Sequence, residues 1–132
     1  MMQVLTEQKV LEFVKSYFFS DGLIRRSTIT YGRGVEKSTA VIDVSVRTAK
    51  DKKWVNLHFR MEGLEGFQLR QPPHQTCEVL VDGISVRWFG GLCYLDFSRD
   101  CAVRRSISDY VDAEFCFVGR RCLWNELPYS EK

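Results

Sequence analysis

Apolar and polar residues alternate almost without interruption between Ala40 and Phe97. The apolar positions of one run are Ala40, Ile42, Val44 and Val46, and those of the next are Val55, Leu57, Phe59 and Met61. Successive side chains of a β-strand point to opposite faces, so this period of two predicts a sheet with one face on a core and the other near water. The pattern constrains the architecture much more than the function.

The size and composition of the chain fit one globular domain that spans residues 1–132. A chain of 132 residues can bury about two-thirds of its unfolded surface. Hydrophobic residues make up 45% of the sequence, which argues against disorder. Nineteen basic and seventeen acidic residues leave a net charge of +2, which predicts no strong attraction to nucleic acid or to an anionic membrane.

The N-terminal residues and the cysteines favour the cytoplasm. The opening residues lack the basic segment and apolar core of a secretory signal, and no apolar run approaches the ~20 residues that span a bilayer. The cysteines are odd in number, without a Cys-x-x-Cys pair: Cys77, Cys93, Cys101, Cys116 and Cys122. We expect all of them to be free thiols. Strand phase places Cys77 and Cys93 on the core face, whereas Cys101 and Cys116 are predicted to be more accessible.

One helix is predicted near the N-terminus, from Glu7 to Phe18. Apolar residues recur there at helical spacing, at Val10, Leu11, Val14 and Phe18. Ser20-Asp21-Gly22 is a turn signal that should follow the end of the helix. The amphipathic pattern therefore predicts a helix that packs on the sheet.

Strand and turn signals divide the rest of the chain. The predicted strands are Leu23–Tyr31, Ser38–Thr48, Trp54–Met61, Phe67–Arg70, Cys77–Val81, Ile84–Phe89, Leu92–Phe97 and Tyr110–Val118. Asp82-Gly83 and Gly90-Gly91 predict tight turns between strands, and Glu62–Gly66 predicts a turn or bulge. Ser98–Asp109 is predicted to be a long loop or a short helical turn, and the tail after Gly119 to pack down only in part.

These elements predict an α+β fold, with one strongly twisted, partly rolled, mainly antiparallel sheet of about seven or eight strands and the N-terminal helix packed on it. The predicted core comprises Val44, Val46, Val55, Leu57, Phe59, Val79, Val81, Val86, Leu95, Phe115 and Phe117. Four large apolar residues are out of phase with this core, namely Trp54, Leu80, Phe89 and Tyr94. Because one helix cannot cover a wide sheet, this surplus indicates an interaction site.

No group of residues in the sequence predicts catalysis or a metal site. The two histidines, His58 and His74, are far apart, with no cysteine or carboxylate at a ligand spacing. His58 lies within a strand and is predicted to be exposed or hydrogen-bonded rather than a catalytic base. We therefore expect no enzymatic activity, no cofactor and no bound metal.

Acidic and aromatic residues around the long loop form the predicted contact region for a partner. Its members are Trp88, Phe89, Tyr94, Asp96, Asp100, Asp109, Asp112 and Glu114. Charges at the rim would steer association, and the aromatic side chains would hold the complex. Two other interpretations stay open: a solvated face neutralised by nearby arginines, and a carboxylate pair for acid–base work.

Basic clusters leave a different function open. The clusters are Arg25-Arg26, Lys50–Lys53, Arg104-Arg105 and Arg120-Arg121. Aromatic residues of the polar face, such as Trp54, Phe89 and Tyr94, can stack on the bases of single-stranded nucleic acid beside them. No segment matches the Lys/Arg-Gly-Phe/Tyr-Gly/Ala-Phe consensus of sheet-type RNA binders, so nucleic acid is the less favoured partner. The concave face of a curved sheet can also hold a small apolar ligand.

Three segments resemble a known class of protein. Phe19–Ile24 leads into the first strand, Trp54–Phe59 is followed by Gly63–Phe67, and Tyr94–Phe97 forms a later strand. Here the chain resembles small uncharacterised bacterial β-rich proteins of the polymorphic-toxin immunity type. The resemblance implies a non-enzymatic cytoplasmic binding protein that occludes a toxin or effector. The alternative is a small-ligand or single-stranded nucleic-acid binding module. A second copy of the chain, in a homodimer, is the other partner expected, and no membrane contact is expected.

Overall fold

The computed structural model describes residues 2–70, 79–80, 82–99, 101 and 104–130. In this part of the chain, seven antiparallel strands form one sheet that is strongly curled into a half-barrel, with a small helix near the N-terminus. The helix α1 is Val10–Lys15, and the strands are β1 (Gln3–Leu5), β2 (Tyr17–Thr30), β3 (Thr39–Thr48), β4 (Trp54–Leu69), β5 (Ser85–Phe89), β6 (Leu92–Asp96) and β7 (Phe115–Pro128). The predicted α+β class and curled antiparallel sheet are confirmed.

The long strand β7 is the centre of the sheet. The strand order is β2-β3-β4-β7-β6-β5, and β1 also pairs with β7. One side of β7 pairs with β4 along its whole length. On the other side, β6 pairs with the first half of β7 and β1 with the second half. The two halves of the sheet are therefore joined through β7.

The predicted last strand, Tyr110–Val118, is wrong at both ends. β7 begins only at Phe115 and continues through Gly119 to Pro128, so the predicted tail is part of the central strand. Gly119 is buried, and a Cβ atom at this position would overlap the Met61 side chain on β4. This glycine therefore marks a close approach between strands rather than the end of one.

Helix α1 is shorter than the helix predicted over Glu7–Phe18. It ends at Lys15, and the chain enters β2 two residues later. Phe13 is the buried side chain of the helix, whereas Leu11 of the predicted apolar face is exposed. Tyr17 is buried and the next residue is exposed, which is the alternation of a strand. The helical spacing of apolar residues therefore overlaps the beginning of a strand pattern.

Register shifts interrupt the long strands β2 and β4 without ending them, two in β2 and one in β4. In β2, Asp21 has a φ of 67°, and the pairing with β3 shifts register around it. In β4, Gly63 has a φ of 62°, and the pairing with β7 shifts between Leu64 and Gly66. The bulge predicted at Glu62–Gly66 is confirmed, and the turn predicted around Asp21 is a bulge instead.

Val79 and Leu80 pair with the edge strand β2 rather than with β5. Two backbone hydrogen bonds, of 2.8 and 2.9 Å, join Leu80 to the bulge of β2. The hairpin predicted across Asp82-Gly83 is therefore wrong for these described residues, and the rest of the predicted strand Cys77–Val81 lies outside them. The hairpin predicted at Gly90-Gly91 is confirmed between β5 and β6, with positive φ at both glycines.

The main core lies on the concave face of the half-barrel, where Phe13 of α1 packs into it. Seven predicted core residues are buried there: Val44, Val46, Leu57, Phe59, Val86, Leu95 and Phe117. Val55 and Phe115 are half-buried and pack against the same core. Val79 is exposed, which corrects its predicted place, because its segment pairs along the edge of β2. Val81 lies outside the described residues.

The four described cysteines are free and buried. The prediction that Cys101 and Cys116 are more accessible is therefore wrong. Cys101 lies in the connection after β6, where its thiol donates to the Asp82 carbonyl at 3.7 Å. Burial, with the nearby Asp96 charge, raises the pKa of Cys101 to about 11 and that of Cys116 to about 12. Cys77 lies outside the described residues.

We expect the folded Cys77→Ser variant to react very slowly with an aromatic disulfide reagent near pH 8. The thiolate is the nucleophile, and a pKa of about 11 leaves roughly one Cys101 thiol in a thousand ionised at that pH. Denaturant without reductant should then release four reactive thiols. Rapid labelling of Cys101 in the folded protein would contradict its burial, and fewer than four thiols after unfolding would reveal a disulfide.

Candidate functional site

The connection between β6 and β7 folds back over the convex face of the sheet. Its described residues 104–114, here called the cap segment, include a 3-10 helix at Ile107–Asp112. The Gln68 amide on β4 donates to the Val111 carbonyl at 2.8 Å and ties this helix to the sheet. The described residues 104–109 of the predicted loop or short helical turn therefore belong to a segment that lies against the sheet.

The cap segment covers aromatic residues that the sequence leaves without a cover. Tyr110 packs on Tyr94 and Phe89, with ring centroids 4.7 and 6.0 Å away. Ala113 and Cys116 complete this second, smaller core. Phe89 and Tyr94 are therefore covered by the cap segment, whereas Leu80 is buried in the main core. Of the four out-of-phase residues, Trp54 is the one left exposed.

A buried ion pair anchors the cap segment to β6. Asp96 is fully buried, and its Oδ2 accepts a hydrogen bond from Arg104 Nε at 2.9 Å. Arg104 also donates to the carbonyl of Asp109 at 2.9 Å, which fixes the 3-10 helix. Burial alone would lower the pKa of Arg104, but the hydrogen bond and charge of Asp96 outweigh it and raise the pKa.

Hydrogen bonds at both ends hold the 3-10 helix in place. The Asp109 carboxylate accepts the backbone N–H groups of Arg105 and Ser106, at 2.7 and 3.0 Å, and these bonds lower its pKa. Ser106 and Asp109 form a reciprocal capping box. At the far end, Ser98 Oγ accepts the Glu114 N–H at 2.8 Å. The carboxylate of Asp109 is therefore already hydrogen-bonded within the cap segment and stabilises it in the unbound protein.

The predicted contact residues occupy different environments. Tyr94 and Asp96 are buried, which removes them from the surface and corrects their predicted role as direct contacts. Trp88, Phe89 and Glu114 are half-buried, whereas Asp109 and Asp112 are exposed. Asp100 lies outside the described residues. Sequence charge alone did not distinguish the buried carboxylate from the exposed ones.

Two apolar side chains that the sequence analysis missed stand on the outer surface of the cap segment. Ile107 is 56% exposed and Val111 is 65% exposed, four positions apart in the 3-10 helix. Asp112 adjoins Val111 and is also exposed. The spacing of Ser106 and Asp109 was the available signal, since a polar residue followed three positions later by an acidic one favours a helix start. The exposed part of the predicted region is therefore apolar as well as acidic.

A second surface lies at the other end of β7, on the convex face of β2, β3 and β4. The side chains of Arg25, Arg47, Trp54 and Tyr129, here called the arginine–aromatic patch, contact one another there. The Arg47 guanidinium lies 5.1 Å from the Trp54 ring centroid, and the Trp54 and Tyr129 rings are 6.0 Å apart. Their contact depends on the strand order, which brings residues from three separate parts of the sequence together.

His58 belongs to a polar row that crosses four neighbouring strands on the same convex face. Arg26, Asp43, His58 and Asn125 are successive cross-strand partners in this row. The Nδ1 of His58 lies 2.5 Å from one oxygen of Asp43, and Arg26 donates to the other oxygen at 3.1 Å. The prediction of a hydrogen-bonded strand histidine is confirmed. His74 lies outside the described residues.

Among the described residues, no three metal-binding side chains come together as a possible ion site. The concave face is filled by side chains of the main core, so these residues give no support for a small ligand there. None of the described helices combines the length and apolar character needed to cross a bilayer. Comparisons with known protein families, with curated proteins and with solved structures found no match for this chain.

Proposed function

We propose that this chain is a non-enzymatic binding protein of the cytoplasm, an immunity-type inhibitor that occludes a protein toxin or effector. The observation that carries the proposal is the exposed pair Ile107 and Val111 on a cap segment held by buried contacts. Exposed apolar surface that is bordered by polar groups marks interaction sites, and Ile107 and Val111 stand on one segment beside the exposed carboxylates of Asp109 and Asp112. The resemblance to bacterial immunity proteins supports the same class.

Rigidity is what makes the cap segment suitable for tight binding. Its position is fixed by the buried pair Asp96–Arg104 and by the packing of Tyr110, so little conformational entropy is lost when a partner binds. Apolar side chains at the centre of an interface supply most of the affinity, whereas acidic groups at its rim accelerate association with a basic surface. We therefore propose a basic cleft of the partner as the surface that the cap segment occludes.

We expect Val111→Lys to weaken partner binding by tenfold or more, since the change places a charge in the apolar centre of the interface and opposes a basic target. The assay is affinity capture from the source organism, followed by titration of the captured protein with the wild-type chain and the variant. Leu11→Lys is the matched control, because Leu11 is 64% exposed on α1. It should bind like the wild type.

The captured partner should also inhibit growth when expressed alone, and co-expression of the wild-type chain should restore growth. Equal binding by the two lysine variants would show that the cap segment is not the interface. A partner without toxicity would rule out the immunity role. A chain that captures only itself, with twice its 15.4 kDa mass in solution, would indicate a homodimer instead.

A further inference from the structure

The arginine–aromatic patch is spatially separate from the cap segment. The cap segment covers Cys116 near the start of β7, whereas Tyr129 follows its end. An extended strand rises about 3.3 Å per residue, so the two surfaces are separated by roughly 40 Å along β7. The proposed occlusion of a protein partner therefore leaves this second surface without an assigned role.

The patch is held in one arrangement by hydrogen bonds beneath it. Arg25 donates to Ser45 Oγ at 3.0 Å and to the Tyr129 hydroxyl at 3.1 Å, which fixes its guanidinium beside the Tyr129 ring. Ser45 donates in turn to Asn56 Oδ1 at 2.6 Å. The Asn56 amide then donates to the Ser130 carbonyl at 2.9 Å and holds the segment that carries Tyr129.

Positive charge is concentrated around the two exposed rings. The basic residues of the patch and of the neighbouring turn are Arg25, Arg26, Arg47, Lys50, Lys52 and Lys53, and the acidic ones are Asp43, Asp51 and Glu126, the last of which lies beside Lys50. Asp43 is already paired with Arg26, and Asp51 accepts a hydrogen bond from Thr48. This region therefore carries an excess of three positive charges, although the whole chain carries only +2. The small net charge conceals a locally basic surface.

We propose that the arginine–aromatic patch binds single-stranded nucleic acid. The rings of Trp54 and Tyr129, residues that are 37% and 41% exposed, offer surface on which bases stack, and the arginines and lysines around them neutralise phosphates. A duplex keeps its base faces inside the helix, so the rings favour a single strand. An acidic protein would satisfy the charge, but the flat faces of nucleobases match two neighbouring rings with cations beside them better than carboxylate side chains do.

The test is fluorescence anisotropy of a labelled oligo(dT), and of the matching oligo(U), titrated with the protein at low ionic strength. Trp54→Ala should weaken binding at least about fivefold, as loss of one stacked base predicts. Arg47→Gln should weaken binding and reduce its dependence on salt. Tyr31→Ala is the matched control, because Tyr31 is an exposed aromatic residue outside the patch. Urea unfolding of each variant identifies any loss of affinity that comes from a loss of fold.

The proposal would be overturned by the absence of saturable binding of either oligonucleotide, by binding that Trp54→Ala leaves unchanged, or by equal competition by a duplex. Competition by polyglutamate as strong as that by unlabelled oligo(dT) would also overturn it, and would indicate an acidic protein as the ligand. Val111→Lys should bind oligo(dT) like the wild type. The outcome is therefore independent of the proposed toxin inhibition.

Discussion

Replacement of Leu57 by alanine is expected to lower the free energy of unfolding by about 2–5 kcal/mol. Leu57 is fully buried and is the fourth residue of β4, which lies between β3 and β7 in the sheet. The substitution removes three carbon atoms and leaves a cavity that neighbours on the paired strands cannot fill without moving. Equilibrium urea unfolding, followed by far-ultraviolet circular dichroism, measures the loss directly.

Leu11→Ala is the matched control for Leu57→Ala, because it removes the same atoms from an exposed position on α1. We expect its effect to stay within about half a kcal/mol, since alanine is a good helix former and little buried area is lost. A loss at Leu57 as small as that at Leu11 would mean that β4 turns its other face to the core.

Substitution of Asp96 by asparagine should destabilise the protein by about 3–5 kcal/mol, the usual result when one member of a buried ion pair is removed. Asp96 is fully buried and Arg104 almost so, so the substitution leaves a guanidinium charge without a counter-ion in the interior. The same change weakens the contact between Asp96 and Arg104, which holds the N-terminal end of the cap segment. Urea unfolding should therefore report the reduced stability, and near-ultraviolet circular dichroism should report looser packing of the aromatic side chains under the cap segment.

Glu62→Gln is the comparison for Asp96→Asn, because it removes the charge that pairs Glu62 with the exposed side chains of Arg60 and Arg121. An exposed pair contributes about 0–1 kcal/mol, so this variant should remain close to the wild type. The double variant Asp96→Leu/Arg104→Met should recover much of the lost stability, because neither charge then remains buried. Additive losses in the double variant would mean that the two residues act independently.

The parts of the fold that follow from local pattern were predictable. Alternation in β3 and β4 identifies the inward residues, and Gly90-Gly91 identifies the β5–β6 turn. Prediction failed where a residue that usually ends a strand is retained inside one by contacts with distant parts of the chain. Gly119 looks like the end of a strand, yet it lies inside β7 because Met61 needs the space. Asp21 looks like part of a turn, yet the pairing of β2 with β3 continues past it as a bulge.

The candidate surfaces were less predictable than the fold, since they depend on contacts distant in sequence. Asp96 and Asp112 look alike in the sequence, since both are aspartates near the long loop. Asp96 becomes a buried anchor because Arg104 lies next to it in the structure. Tyr129 lies in a tail with no strand signal of its own, and it meets Trp54 because β7 pairs with β4 to its end. Composition likewise hides the local charge around Trp54, because acidic residues elsewhere balance it.

The central place of β7 determines when the chain can fold during its synthesis. β1 and β4 leave the ribosome early, but both need β7, which is made after every other strand of the described sheet. Until then β4 is hydrogen-bonded along one edge to β3, and its other edge is unpaired. β1 also lacks its partner strand β7. Contacts of such long sequence separation form slowly. The nascent chain therefore exposes the unpaired edge of β4 until Phe115–Pro128 has been synthesised, and an unpaired strand edge of this kind is prone to aggregate.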